Sequence, residues 1–131
     1  MSNRKIYKAK GLEFPACWRW TVRTEDFANA HSARGVAEGL AALWVWQAGR
    51  CAICGGTDVE LVLDHDHETG LIRGLLCYSC NGAEGRGHSG HPVFAHYRAI
   101  SPASILDMKV RHAGRRNVLD GWKRDPYALA V

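Results

Sequence analysis

Four cysteines in two Cys-x2-Cys pairs, Cys51/Cys54 and Cys77/Cys80, bracket 22 residues near the middle of the chain. A Cys-x2-Cys turn aims both sulfurs at one ion, and two such turns supply four thiolates for a tetrahedral Zn²⁺. Gly55 and Gly56 follow the first pair and let its turn close, because glycine accepts positive φ. The competing use of four cysteines is two disulfides in a secreted protein. The opening stretch MSNRKIYKAKG lacks the hydrophobic core of a signal peptide. The expected setting is therefore the cytoplasm, where thiols stay reduced. A zinc bound by four sulfurs has no open position for water or substrate, so this metal staples a fold and any chemistry falls to other residues. Cys17 is left over and reads as a small buried hydrophobe.

A staple suits a chain of 131 residues, which buries only about two-thirds of its surface on folding. Hydrophobic residues make up 47% and are spread throughout, as in a folded protein. The longest apolar run, Leu40 to Trp46, is too short to span a bilayer, and no membrane partner is expected. The net charge is +4, but it is unevenly placed. Residues 51–90 carry six acids and two arginines, a balance of −4, so the flanks hold +8. Arg4, Lys5, Lys8 and Lys10 lie at one end; Lys109, Arg111, Arg115, Arg116, Lys123 and Arg124 lie near the other. Basic flanks around an acidic centre suit a metal site served by phosphate-binding arms; solvated surface with basic tails is the plainer reading.

Three regions are expected: a basic extension over 1–31, a helix plus zinc-bound core over 32–90, and a helical basic extension over 91–131. Within the core, Ser32 is a candidate N-cap for a helix to residue 48, with Val36, Leu40, Leu43, Trp44 and Gln47 at helical spacing and Gly49 as its stop. Residues 59–65 and 71–76 read as a hairpin turning at Glu68-Thr69-Gly70. A short helix from about Ser79 carries Asn81 and Glu84, and Pro92 opens another through Tyr97. SPASILDMKVRHAG reads as a helix capped by Ser101, opened by Pro102 and ended by Gly114. Trp18, Trp20, Trp44 and Trp46 read as core ahead of base-stacking platforms. His88, His91 and His96 read as loop and surface residues. The fold class that results is α+β.

Asp64-His65-Asp66-His67 falls near the hairpin tip, and strand parity sets Asp64 and Asp66 on one face and His65 and His67 on the other. Asn81 directly follows the last cysteine and is pinned beside them. Carboxylate and amide oxygens are hard ligands for Mg²⁺ or Mn²⁺, and an imidazole serves as general base near neutral pH. Together they form a workable set for metal-assisted phosphodiester hydrolysis. Polar turn formers on a solvated hairpin would also contain Asp, His and Glu, but four in a row facing Asn81 and Glu84 inside a zinc clip is denser than a turn requires.

The stretches CAICGG and LDHDHETGLIRGLLCYSCNGAEG resemble the phage recombination endonuclease VII family, which belongs to the His-Asn-His nucleases with a ββα-metal (His-Me finger) fold. The resemblance covers residues 50–86. It implies a four-cysteine structural zinc beside a one-metal nuclease centre. By the family motif, Asp64 and Asn81 would bind the catalytic Mg²⁺ or Mn²⁺ and His65 would activate water. His67 and Glu84 match further active-site positions, and Arg73-Gly74 matches a step before the second cysteine pair. The implied function is a metal-dependent DNA endonuclease. In the founding member a C-terminal dimer grips branched DNA, so Holliday-junction DNA and a homodimer are the partners it suggests. The alternatives are a general nicking or double-strand endonuclease used in packaging, homing or defence, and a non-catalytic zinc module that binds DNA.

Overall fold

The computed structural model describes residues 12–21, 33, 35–85 and 91–112. Ser32, His88, Arg115, Arg116, Lys123, Arg124 and the basic residues before position 11 lie outside these, as do the roles expected of them. The described elements run in the order 3₁₀ turn (Ala16–Arg19), α1 (Val36–Gln47), β1 (Leu61–His65), β2 (Ile72–Cys77), α2 (Tyr78–Gly85), α3 (Pro92–Ala99) and α4 (Pro102–Ile105). The class is α+β, as expected, with a two-stranded sheet.

α1 forms because Leu40, Leu43 and Gln47 recur on one face, with Gly39 and Trp46 beside them, all buried. Trp46 is buried as its core reading expects, while Trp44, also read as core, is only partly buried. Each core leucine removed from water contributes roughly 1.5–3 kcal/mol. The helix ends at Ala48, which adopts the left-handed conformation at φ 53°, one residue earlier than Gly49 suggested. Gln47 is fully buried at this end, and its amide acts as a short strand: Nε2 donates to the Leu75 carbonyl at 3.0 Å, and the Leu75 N–H donates to Oε1 at 2.9 Å. The helix is thereby bonded to the backbone of β2.

β1 and β2 pair antiparallel from Leu61↔Cys77 to Asp64↔Gly74, then shift register between Asp64 and His65. β1 starts at Leu61, two residues later than expected. Val59 remains in the approach turn, where Asp58 takes a positive φ of 57°. The strands carry Leu61, Leu63, Ile72, Leu75 and Leu76 into a core shared with Leu40, Leu43, Phe94 and Tyr97.

The expected helix over 101–114 is a correction. Among the described residues 101–112, only Pro102–Ile105 is helical. Asp107 turns left-handed at φ 56°, and the chain then runs extended, with Met108 and Val110 buried and Lys109 and Arg111 exposed. The Ile72 N–H donates to Val110 at 2.8 Å, and Leu71 and Arg111 form an antiparallel bridge. A strand edge that offers backbone partners and a pocket for alternate side chains outweighs local helix propensity here. Of the histidines read as loop residues, His91 lies just outside α3 and caps it, accepting from the Val93 N–H, whereas His96 lies within α3, stacked on Phe14 with centroids 4.8 Å apart.

Candidate active site

The cysteine cluster is the scaffold. Cys51 and Cys54 sit on a tight turn closed by the Cys51 N–H to Gly56 and the Gly55 N–H to Cys51, with Gly55 at φ +75°. Cys77 ends β2 and Cys80 lies in the first turn of α2. The four sulfurs lie within 4.8 Å of one another, and all four residues are buried. The Gly56 N–H points at Cys54 Sγ (3.4 Å) and the Cys80 N–H at Cys77 Sγ (3.5 Å). Such donors stabilise thiolate. Burial holds Cys51 well above the ordinary thiol range, while donation from Cys51 draws Cys54 far down and Cys77 down to about 7. Sulfurs this close compete for protons, and a soft divalent cation at their centre satisfies all four. The cluster can hold a zinc ion.

Asp64 lies on β1 at 4% exposure. Arg73 Nε donates to its Oδ2 at 2.7 Å and Nη2 to its Oδ1 at 3.1 Å. The Tyr97 hydroxyl donates to Oδ2 at 2.8 Å. Three donors on two oxygens are suited to an ionised carboxylate. Burial pushes the Asp64 pKa upward, and the Arg73 and Tyr97 hydrogen bonds pull against it. Gly74, opposite Asp64, makes this approach possible. A Cβ there would lie 2.8 Å from Pro102 Cγ and 3.3 Å from the Tyr97 hydroxyl.

Arg73 extends the network. Its Nη2 also reaches the His65 carbonyl at 3.2 Å and Glu84 Oε2 at 3.3 Å. Glu84, on α2, is held from the other side by Arg98 of α3, whose Nε lies 2.5 Å from the same oxygen. Asp64 and Glu84 are thus joined through one guanidinium. Asn81 follows Cys80 on α2, half-buried, and α2 packs on both strands.

His65 ends β1, partly exposed. Its ring lies parallel to that of His67, centroids 4.8 Å apart, so these two share a face as strand parity suggested. Desolvation first, then the neighbouring His112 and His67, lowers the His65 pKa and favours the neutral imidazole. Asp66 also lines the groove beside Arg73 and His67, but its Oδ1 accepts from the Glu68 and Thr69 N–H groups and so shapes the turn. An open groove of about 400 Å³ borders the site, lined by His67, Arg73, Glu84 and Arg98 among others.

The model of the recombination endonuclease VII family matches residues 25–99, more than half the chain, and includes the four cysteines, Asp64, His65, His67, Arg73, Asn81, Glu84, Tyr97 and Arg98. The chain belongs to that family. Two curated relatives are similar over the centre: the Gene 59 protein of Mycobacterium phage D29, 50% identical over 48 residues, and the Gene 59 protein of Mycobacterium phage L5, 50% identical over 42. These matches cover 34% and 30% of this chain and only 29% and 26% of the relatives' lengths. No solved structure matches. Among the described residues no helix is long and apolar enough to cross a membrane.

Sequence reasoning missed Tyr97 and Arg98, and it gave Arg73 a motif position without a partner. Tyr97 had a legible signal: Val93, Phe94 and Tyr97 share one face of α3, and a phenol on a buried face requires a polar partner. Nothing local announced Arg98, whose partner lies 14 residues away.

Proposed function

We propose that the chain is a metal-dependent DNA endonuclease with a zinc-stapled ββα-metal core, in which His65 is the general base. The observation that carries it is the pairing, on the last two residues of β1, of a buried carboxylate at Asp64 with an accessible imidazole at His65, both inside the family match.

A carboxylate and an amide oxygen are donor types that suit a divalent ion, which would have to displace the Arg73 and Tyr97 hydrogen bonds that now fill both Asp64 oxygens. Asp64 is an anionic oxygen ligand already occupied by a cationic group, and Asn81 adds an amide oxygen from α2. Asp64 and Asn81 would hold Mg²⁺ or Mn²⁺, which when bound supplies charge stabilisation at the scissile phosphate and the leaving 3′-oxygen. The chain's own residues do the rest. His65 in its neutral form takes a proton from water, which attacks phosphorus in line and leaves 5′-phosphate and 3′-hydroxyl ends. His67, at the rim of the groove, contacts the phosphate. Glu84 holds Arg73 and Arg98 on the groove wall, where their charge draws the DNA backbone. The cysteine zinc keeps the β2–α2 junction fixed under the site. The preferred substrate separates branched DNA cut by a homodimer from general nicking or double-strand cleavage.

The test is cleavage of linear duplex, nicked circle, single strand and four-way junction by the zinc-loaded protein, with Mg²⁺ or with EDTA. Cleavage should require Mg²⁺ and vanish in His65→Ala, with zinc content and DNA binding retained. A His65→Ala protein that still cuts would remove His65 from the role. Inactivity on every substrate would favour the non-catalytic zinc module.

A further inference from the structure

The chain returns to the site after the family match ends. Residues 108–112 run along the hairpin beyond Leu71, and their backbone is fixed there. The Ile72 N–H donates to the Val110 carbonyl (2.8 Å) and the His112 N–H to the Gly70 carbonyl (2.6 Å). Arg111 Nη1 donates to the Thr69 carbonyl at 2.9 Å. These bonds deliver His112 to His65. The two rings are parallel to within 6°, with centroids 4.3 Å apart. His67 is parallel to His65 within 5° at 4.8 Å. Parallel rings at these distances are accommodated best on opposite faces, which makes His65 the middle of a three-ring stack.

The stack has a mechanical consequence. The χ2 torsion of histidine is broad and roughly two-fold, so an imidazole at an open strand end swings freely. A general base accepts a proton in its ring plane and must hold that plane toward the water. Rings on both faces permit in-plane adjustment and forbid tilting. His67 sits on the exposed turn, so the firmer wall is His112, whose backbone is bonded to the hairpin.

We propose that His112 is a positioning residue for His65: its ring forms the second face of the stack that orients the base, so the active site is completed by a segment outside the family core. This rests on the reading of His65 as the base. It requires only a flat ring at position 112.

The test compares His112→Leu, which fills the space without a plane, with His112→Phe, which keeps the plane. Both are assayed beside wild type and His65→Ala on the cleaved substrate, and the His65 ring signals are followed by NMR. His112→Leu should lower kcat by about 10- to 100-fold, the scale of a small misplacement of a catalytic group, with KM within about twofold. His112→Phe should recover most of that loss. In His112→Leu, but not His112→Phe, the His65 ring resonances should lose their stacking shift. Wild-type kcat in His112→Leu would overturn the proposal. So would equal losses in both variants. If the wild type cuts nothing, the nuclease reading fails on its own, and an unmoved His65 signal in His112→Leu would still overturn the stack.

Discussion

Arg73 lies edge-on against Asp64, with Nε 2.7 Å from Oδ2 and Nη2 3.1 Å from Oδ1. The carboxylate assigned to a divalent ion therefore already holds a cation. The same guanidinium touches Glu84, so two buried acids depend on it. Removing one partner of a buried ion pair costs about 3–5 kcal/mol, because a charge is left uncompensated. Arg73→Gln should therefore melt well below wild type. If Asp64 is a metal ligand, Mn²⁺ should restore part of that loss and stabilise the variant more than it stabilises wild type. Melting curves with and without Mn²⁺ check this. Adding Asp64→Asn to the variant should abolish the Mn²⁺ effect, and a shift that survives would locate the ion elsewhere.

The cysteine cluster links the turn at 51–54 to the β2–α2 junction, and all four cysteines belong to the buried core. Cys77→Ser should release the metal and unfold the core, since ligand binding and folding are one equilibrium in a site of this kind. Circular dichroism melting and zinc content per chain measure it. A variant with unchanged melting and one bound zinc would show that three sulfurs suffice.

Gly74 separates backbone freedom from space. Its φ is not positive, so the constraint is the Pro102 ring, 2.8 and 2.9 Å from where a Cβ would stand. A proline ring has little room to yield. Gly74→Ala should cost about 1–3 kcal/mol, the range for overpacking, and should push α4 away from Asp64. Urea unfolding gives the loss. Wild-type stability would mean that α4 shifts freely.

Much of this architecture is local enough to read in the chain. The cysteine spacing marks the staple, helical periodicity marks α1, and the Glu68-Thr69-Gly70 turn marks the hairpin. What was misread depends on partners distant in sequence. Ser101-Pro102 is a sound helix start, so the period-two alternation of Met108 to Arg111 was overlooked; only the open edge beside Ile72 makes those residues extended. Trp44 and Trp46 both fall near the buried face of α1, and Trp46 is selected because its Nε1 reaches the Thr21 carbonyl at 3.0 Å. The Asp64–Arg73 pair is visible only through hairpin register, and Tyr97 reaches Asp64 from 33 residues further along the chain. The likeness of Asp64, His65, Asn81 and Glu84 to a nuclease motif was legible because motif residues are local, whereas the groups that hold them are not.

Cys17 offers a test of how tightly the N-terminal segment is packed. It is fully buried, with its backbone bonded to Ala52 at 3.1 Å, and burial pushes its thiol from 9.0 to about 12. A folded-state pKa raised this way leaves stability intact below the ordinary thiol value. Stability is then lost as pH climbs toward the folded one, because only the unfolded chain ionises. The loss approaches about 1.4 kcal/mol per pH unit across that window. Urea unfolding of wild type and Cys17→Ala from pH 8 to 11 isolates it. Wild type should lose stability more steeply above pH 9, so the gap between the two proteins should narrow as pH rises. Parallel profiles would mean that water reaches the thiol in the native state.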